Sequence, residues 1–496
     1  MPAILLGLAV MTARGSEALA QAPLTVAVEV LPRSGNPFSS TSIVDLGYWS
    51  AFYDAPTLVT TDGELLPWLA ESWRPLSLTS WEFTLRDGVT FSNGERLDAA
   101  AAEAAFSYLK SERGKIEPVA RDLANIARVR TVSARVFEVH TTTPDPLLPR
   151  RLSSLRLVAP QAWARLGPEA YAQTPIGTGP YTVEVVRADR VRLKAFAGSW
   201  RKAPAPSLEY VISTDPIARQ SALQMGDVDV ALNAVSPDEF EAVQEAGGSV
   251  FIDRIPAVVA LIFNTVKDTP FRDERVRKAV VMAVDRAQIV STLLGGHTAV
   301  ADQPATRGMF GFDPQIKPIA YDPARAKALL AEAGYPRGFS FDMEMPASKI
   351  LYTSVFQAIA ADLRKVGIVM TVRQLPQIPF QEKTQTGNWS GPAFAWPFFS
   401  PTADPLYAMQ YHSCGWVAPW YCDPKTSEML NMALAEPDLT QRNSQTAAIM
   451  RRAHDTAQAL FLYESVSFVA LGPRVKSFRA DYGFIRFEAI QLAPSK

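Results

Sequence analysis

The chain has 496 residues, a formal net charge of −1 at pH 7, and hydrophobic residues at 48% of its positions. This length exceeds what one hydrophobic core usually supports, so we expect two or three globular domains. The balanced charge and the lack of a lysine or arginine run argue against nucleic acid as a partner.

The N-terminal residues resemble a secretory signal. Residues 4–10 form a short apolar core, and Ala18-Leu19-Ala20 gives the small-x-small pattern of a cleavage site. No lysine or arginine precedes the core, so the true start of this segment stays open. The residue directly after the cleavage pattern is Gln21 and not a cysteine, and no other stretch is long and apolar enough to span a bilayer. We therefore expect residues 1–20 to be a signal peptide and the mature chain to be exported without a lipid anchor.

Local patterns predict an alternation of strands and helices. Residues 24–30 and 81–85 alternate apolar and polar side chains, as half-buried strands do. Asp322, Pro323 and Gly334 occupy the N-cap, first-turn and C-terminal positions of a predicted helix. Further predicted strands are 182–186, 191–196, 208–212, 258–263 and 368–375, and further helices are one capped by Asp98, two within 273–294, and 350–366.

Residues 389–422 form an aromatic segment that is almost uncharged. It holds four of the ten tryptophans, and Asp404 is its only charged residue. Its prolines and glycines exclude a single helix or a membrane span. Such a segment either fills an interior seam or lines a concave ligand site, and composition alone favours core packing.

The only two cysteines, Cys414 and Cys422, have the spacing C-x7-C. In an exported protein this predicts a disulfide that closes a small loop. Metal binding is the alternative, but His412 is the only other typical soft ligand nearby, which makes a poor site.

The sequence contains no recognisable catalytic signature. The four histidines show no spacing typical of a metal site, and no G-x-S-x-G motif occurs. We therefore expect a binding protein rather than an enzyme, with no cofactor.

A series of motifs carries a family resemblance. In chain order these are LAxSW at 69–73, WxFxLRxGVxFxxG at 81–94, GTGPY at 177–181, LxxGxVD at 223–229, FNT at 263–265, and DPxxAKxLLxxAGY at 322–335. Together they resemble the solute-binding proteins of peptide-type ABC importers, bacterial extracellular solute-binding protein family 5, which includes dipeptide, oligopeptide and nickel binders. The resemblance covers nearly all of the mature chain.

The resemblance implies an α/β fold of the two-lobed periplasmic binding protein type II class. Mixed sheets flanked by helices would form both lobes, with the ligand cleft between them and an extra subdomain at about 50–179 of lobe I. Lobe I would comprise residues 21–263 and 471–496, and lobe II residues 264–470.

The resemblance also implies a function. The chain would be a monomer in the periplasm that captures a small organic ligand by hinge closure and delivers it to an inner-membrane permease. Two alternatives are left open. In one, the chain delivers its ligand to a chemoreceptor or sensor; in the other, it is a periplasmic hydrolase on a related fold. Nickel or haem carriage is disfavoured because few histidines are suitably placed.

Peptide binders of this family carry a W-x-x-D-x-x-D-P pattern whose first aspartate pairs with the ligand's α-amino group. Aligned on Asp404-Pro405, that first aspartate is Pro401 here, which has no charge and no donor. We therefore expect a neutral or weakly polar ligand, such as a sugar-like or opine-like conjugate or a blocked peptide, rather than a peptide with a free N-terminus. The predicted ligand-binding residues are Tyr48, Trp49, Asn264, Trp396, Phe398, Phe399, Pro401, Asp404 and Trp416.

Overall fold

The computed structural model describes residues 22–32, 34–233, 235–347 and 350–494, so the predicted signal peptide lies outside the described residues. The strands are β1 (Leu24–Val28), β2 (Thr57–Val59), β3 (Leu65–Pro67), β4 (Ala70–Ser77), β5 (Ser80–Leu85), β6 (Ile126–Thr131), β7 (Val136–Thr141), β8 (Tyr181–Val186), β9 (Arg190–Ala195), β10 (Ser207–Ile212), β11 (Val230–Leu232), β12 (Ser249–Phe263), β13 (Ser340–Pro346), β14 (Val369–Leu375), β15 (Ala393–Phe399), β16 (Ala459–Leu471), β17 (Val475–Ser477), β18 (Ala480–Asp481), β19 (Phe484–Ile485) and β20 (Gln491–Leu492). The α-helices are α1 (Ile43–Trp49), α2 (Ala100–Lys110), α3 (Pro118–Asp122), α4 (Leu148–Arg151), α5 (Pro160–Gln173), α6 (Pro216–Met225), α7 (Phe240–Glu245), α8 (Glu274–Ala283), α9 (Arg286–Leu293), α10 (Pro323–Glu332), α11 (Ile350–Arg364), α12 (Gln377–Thr386), α13 (Pro405–Tyr411), α14 (Pro424–Ala435) and α15 (Leu439–Asp455).

A mixed sheet of ten strands runs through the molecule in the order β14-β13-β15-β12-β16-β11-β1-β10-β9-β8. Parallel pairs occur in each half of the sheet, β1 with β10 and β11, and β13 with β14 and β15. A separate four-stranded antiparallel sheet has the order β4-β5-β7-β6. It falls within the range predicted for the extra subdomain. The architecture is the predicted two-lobed α/β class with mixed sheets flanked by helices.

Two long antiparallel strands, β12 and β16, cross between the lobes. Their pairing shifts register between Arg254 and Val258, next to Pro256. After this shift β12 also pairs with β15. We propose to divide the lobes here, so that residues 258–263 belong to the second lobe and not to the first. Because the chain crosses twice, the two strands can act as a hinge.

The second half of β12 shows why the second-lobe sheet is so apolar. Val259, Leu261 and Phe263 pack against α8, α10 and α11 on one face. Val258 and Ile262 pack on the other face, against the aromatic segment and α15. Since alternate residues of a strand point to opposite faces, a strand covered on both sides must be apolar throughout.

The locally signalled elements form as predicted. Asp322 caps α10, since its carboxylate accepts the backbone N–H of Arg325 at 2.8 Å, and Gly334 follows the helix with φ of +92°. After β5, Thr90 and Arg96 form an isolated antiparallel bridge. Among the described residues, no helix has both the length and the apolar composition that a membrane span requires.

Candidate functional site

A small cavity lies between the two lobes, where the end of β15 meets the first lobe and the β18–β19 hairpin. Its volume is about 50 Å³, the space of a few water molecules. Any larger ligand therefore requires the lobes to separate before it enters. The lining residues are Thr41, Leu46, Tyr53, Ala55, Thr57, Leu58, Val59, Trp68, Ser153, Ser154, Arg156, Phe399, Pro401, Asp481, Tyr482 and Phe484.

Arg156 is the cationic residue of this cavity, and its side chain is buried at 6% exposure. One guanidinium nitrogen, Nη1, donates to the carbonyls of Pro37 at 3.2 Å and Ser154 at 3.4 Å. The guanidinium carbon lies 5.2 Å from the centre of the Trp49 ring, so the indole supports the cation from behind. In the described part of the chain, Arg156 forms no ion pair.

Burial lowers the pKa of Arg156 to about 10, although the charges of Asp122 and Asp45 oppose this effect from a distance. A guanidinium with that pKa remains protonated at neutral pH. Since removing an unpaired charge from water is costly, this cation favours any anionic group that enters the cavity.

Asp481 is the acidic residue of the cavity, and it already has cationic partners. Its carboxylate lies 3.1 Å from Arg486 and 3.4 Å from Arg479, and it also accepts the backbone N–H of Thr61 at 3.3 Å. Its negative charge is therefore satisfied within the protein. The cavity therefore has an excess positive charge, which comes from Arg156.

Several hydroxyl groups of the lining already donate to backbone carbonyls. Thr57 donates to Pro149 at 2.6 Å, and Tyr53 donates to Gly35 at 2.9 Å. These oxygens can still accept hydrogen bonds from a ligand, but their protons are already donated to the backbone. Arg156 is thus the strongest donor that the lining presents to a ligand.

Residues 64–417 match the bacterial extracellular solute-binding proteins, family 5. The chain belongs to this family. It is 26% identical over 459 residues to the nickel-binding periplasmic protein of Escherichia coli strain K12, covering 85% of this chain and 84% of that protein. It is 25% identical over 468 residues to the dipeptide-binding protein of the same organism, covering 86% of both. The crystal structure of NikA from Brucella suis in complex with Fe(III)-EDTA superposes with a TM-score of 0.82 at 23% identity, covering 95% of this chain and 100% of that one.

The family 5 membership confirms the resemblance read from the motifs. The chain is a substrate-binding component of an ABC importer, with the two-lobed fold predicted for it, and the members of this family are binding proteins. Periplasmic binding proteins close around their ligands by a hinge motion of the two lobes.

Of the nine residues predicted to bind ligand in this solute-binding protein, Phe399 and Pro401 line the cavity. Pro401 brings no charge to the lining. Their contact with a ligand stays a prediction.

Three other predicted residues have buried side chains outside the lining. Trp49 packs beneath Arg156. Phe398 stacks on His412 with ring centres 4.0 Å apart, on the opposite face of β15 from Phe399. Asn264 caps a turn by accepting the backbone N–H groups of Val266 and Lys267 at 3.1 and 3.0 Å. These placements favour structural roles for all three.

The remaining predicted residues also lie outside the lining. Tyr48 packs on Phe52 and Tyr210 and borders a different surface pocket. Trp396 stacks on Phe380 with centres 6.0 Å apart. Asp404 is a buried helix cap, and Trp416 packs against Tyr411.

The predicted disulfide between Cys414 and Cys422 is present. His412, the residue considered for the alternative metal site, is buried, and its Nδ1 accepts the indole N–H of Trp420 at 3.0 Å. Burial lowers its pKa to about 3. In the part of the chain that the structure describes, no three His, Cys, Asp or Glu side chains converge as metal ligands do.

Asp253, a hinge residue on β12, carries a prediction about pH. Burial, together with the nearby charge of Asp481, raises its pKa from 3.8 to about 7. The folded protein therefore holds a proton that the unfolded chain releases, and this carboxyl lowers stability progressively as the pH rises through that window. Replacing Asp253 with Asn should leave stability unchanged near pH 4 and raise it by up to about 4 kcal/mol at pH 8.

Urea unfolding of both proteins at several pH values measures this effect. His412 acts in the opposite direction, because its lowered pKa favours the folded state as the pH rises from about 3 to 6.5. It is present in both proteins, so the difference between them isolates Asp253. The exposed Asp189→Asn variant serves as the control, and a pH-independent difference for Asp253→Asn would contradict the prediction.

Proposed function

We propose that this chain captures a small carboxylate-bearing ligand in the periplasm and releases it to an inner-membrane permease. It would act as a monomer that binds its ligand without converting it. The proposed ligand class rests on Arg156, which lines the cavity between the lobes. Its side chain is buried and forms no ion pair among the described residues.

The position of Pro401 supports the same ligand class. A free α-amino group entering this cavity would meet Pro401, which has no charge, and Asp481, which is already paired with two arginines. A carboxylate would meet Arg156 and form a charge-assisted hydrogen bond in a site from which water is excluded. The ligand is therefore expected to be an anion, in place of the neutral or weakly polar molecule expected from Pro401 alone.

Closure would couple binding to transport. Arg156 lies on the first lobe, while Phe399 and Pro401 lie on the second. A ligand that contacts both walls binds the closed state more tightly than the open one and shifts the population toward it. The closed surface of both lobes is then available to a permease.

A metal chelate is a second candidate because a chelator presents the same carboxylates. Nickel is bound by a relative that aligns with 85% of this chain, and NikA from Brucella suis binds Fe(III)-EDTA. Since no group of metal ligands converges in the described residues, the metal would be held by its chelator and the chelator by Arg156.

Titration calorimetry with matched ligands tests the proposal. N-acetyl-trialanine has a carboxylate and no amine, whereas trialanine amide has an amine and no carboxylate. Citrate and Fe(III)-EDTA represent a small organic anion and a chelate. We expect carboxylate ligands to bind at least about tenfold more tightly than the amide, a difference of about 1.4 kcal/mol. Preferential binding of trialanine amide, or of a neutral sugar, would overturn the proposed ligand class.

A further inference from the structure

A contact between the lobes lies apart from the cavity, where α3 of the first lobe approaches α13 of the second. Nη1 of Arg121 donates to the phenol oxygen of Tyr411 at 2.9 Å. The guanidinium carbon lies 6.0 Å from the Tyr411 ring centre and 5.9 Å from the Trp416 ring centre. The cation thus sits against two aromatic faces and one hydroxyl of the opposite lobe.

The receiving surface is built within the second lobe. Tyr411 is the last residue of α13, and its ring centre lies 4.4 Å from that of Trp416. The indole N–H of Trp416 donates to the carbonyl of Thr384 at 2.8 Å. Trp416 belongs to the loop closed by the disulfide of Cys414 and Cys422. Helix end, hydrogen bond and disulfide hold the two rings in place without any help from the first lobe.

A second pair of residues extends this contact. Asp122, next to Arg121, is buried and faces Tyr407, one helical turn before Tyr411. The two phenol oxygens of Tyr407 and Tyr411 lie 3.4 Å apart. Burial raises the pKa of Asp122 to about 6 and also raises that of Tyr407. The end of α3 therefore presents both a cation and an acid to a row of hydroxyl-bearing rings.

Arg121 does not line the cavity, so its effect on a ligand is indirect. A hinge opening that separates the lobes would move α3 away from α13 and break this contact. Arg121 itself remains exposed here, so water can replace its hydrogen bond at modest cost on opening. Such a contact biases the equilibrium between open and closed states without locking it.

We propose that Arg121, Tyr411 and Trp416 form a closure clasp, which holds the lobes together in a fraction of the ligand-free protein and slows the release of bound ligand. Arg121 is a positioning residue in this proposal, since it acts through the rings and not on the ligand. The proposal rests on the proposed function only in that closure retains ligand. In this proposal, the part of the aromatic segment around Tyr411 and Trp416 contributes to closure, and the part around Phe399 and Pro401 contacts the ligand.

Distance measurement between two spin labels tests the clasp without any ligand. Leu78 of the first lobe and Met432 of the second are 65% and 57% exposed, and each can be replaced by a labelled cysteine. The two native cysteines are joined as a disulfide and do not react with the label. Double electron–electron resonance on the ligand-free full-length protein then reports the open and closed populations.

We expect the protein with native Arg121 to show a short-distance population, which corresponds to the closed state. In Arg121→Ala the ratio of closed to open protein should be about tenfold lower. Arg121→Lys should restore part of the closed population, because an ammonium keeps the cation–π attraction but loses the planar donor set. Tyr411→Phe should give an intermediate shift, since it retains the ring and removes the acceptor.

Arg113→Ala is the matched control, because Arg113 is an exposed arginine of the same lobe that pairs with Glu169 within that lobe. Identical distance distributions for Arg121→Ala and the parent would overturn the clasp, whether both are open or both closed. A shift in Arg113→Ala as large as that in Arg121→Ala would overturn it as well. Failure of carboxylate binding would refute the ligand class and leave these distances unaffected.

Discussion

Replacing Asp404 with alanine is expected to lower the free energy of unfolding by about 4 kcal/mol. The Asp404 carboxylate lies 2.9 Å from Arg442, and both residues are buried at 1% exposure. It also accepts the backbone N–H of Leu406 at 3.1 Å as the N-cap of α13. The substitution would leave a buried guanidinium without its counter-charge and a helix start without its acceptor. Urea unfolding followed by tryptophan fluorescence measures the loss.

Asp438→Ala is the matched control for this prediction. Asp438 caps α15 by accepting the backbone N–H of Gln441 at 2.8 Å, but it is exposed and forms no ion pair in the described part of the chain. Its removal should cost about 1 kcal/mol, the usual value for a cap. Asp404→Asn keeps an acceptor for Leu406 and should fall between the two. Equal losses for Asp404→Ala and Asp438→Ala would show that the buried pair contributes nothing.

Asp404 also shows which part of a structure local sequence can reveal. The Asp404-Pro405 pair is a turn and helix-start signal, and the structure places a capped helix there. Its partner Arg442 lies 38 residues further along the chain, and Arg151 of the other lobe lies 253 residues earlier. Nothing in the neighbourhood of Asp404 specifies these partners, because they are brought together only when α15 and α4 pack.

The aromatic segment shows the same limit within a single strand. Phe398 and Phe399 are adjacent, but a strand directs them to opposite faces. Phe398 joins the second-lobe core, whereas Phe399 lines the cavity. Composition predicts that the segment is packed or lines a ligand site; Phe398 is packed, Phe399 lines a cavity, and ligand contact at Phe399 stays a prediction. The choice depends on which face of β15 the rest of the lobe covers, which is a property of the tertiary fold.

The sequence predicts only the apolar second half of strand β12, residues 258–263, and not its first half. Residues 258–263 are covered on both faces and read as a continuous apolar run. Residues 249–254 are half-exposed and mixed in composition, and Pro256 interrupts the pattern. Their strand conformation comes from pairing with β16, about 200 residues away, so the local pattern carries little of the signal.

Arg156 is not among the residues predicted to bind ligand, although the sequence contains a signal for it. It stands alone among Leu152, Leu155, Leu157 and Val158, all of which are buried. A single charged residue within a buried apolar run is costly unless an ion-pair partner or a ligand compensates its charge. The sequence does not show that Arg156 and Pro401 line the same cavity, because they come together only when the lobes close.

Replacing Arg156 with glutamine is expected to weaken binding of a carboxylate ligand by roughly 30-fold to 1,000-fold, because the ligand's charge would then be buried without a counter-charge. The loss should appear mainly as faster dissociation. Calorimetry and stopped-flow with the tightest-binding carboxylate of the matched series measure both quantities. Stability of the ligand-free protein should not fall, because the unpaired guanidinium is buried at a desolvation cost.

Two variants separate the role of Arg156 from a general loss of charge. Arg156→Lys keeps the positive charge but loses the planar donor set, so its affinity should fall between those of the native protein and Arg156→Gln. The exposed Arg128→Gln removes the same charge outside the cavity lining and should bind as the native protein does. Unchanged affinity in Arg156→Gln would refute a carboxylate contact at this residue. Lost affinity together with lost stability would show that Arg156 supports the lobe through Trp49 and not the ligand directly.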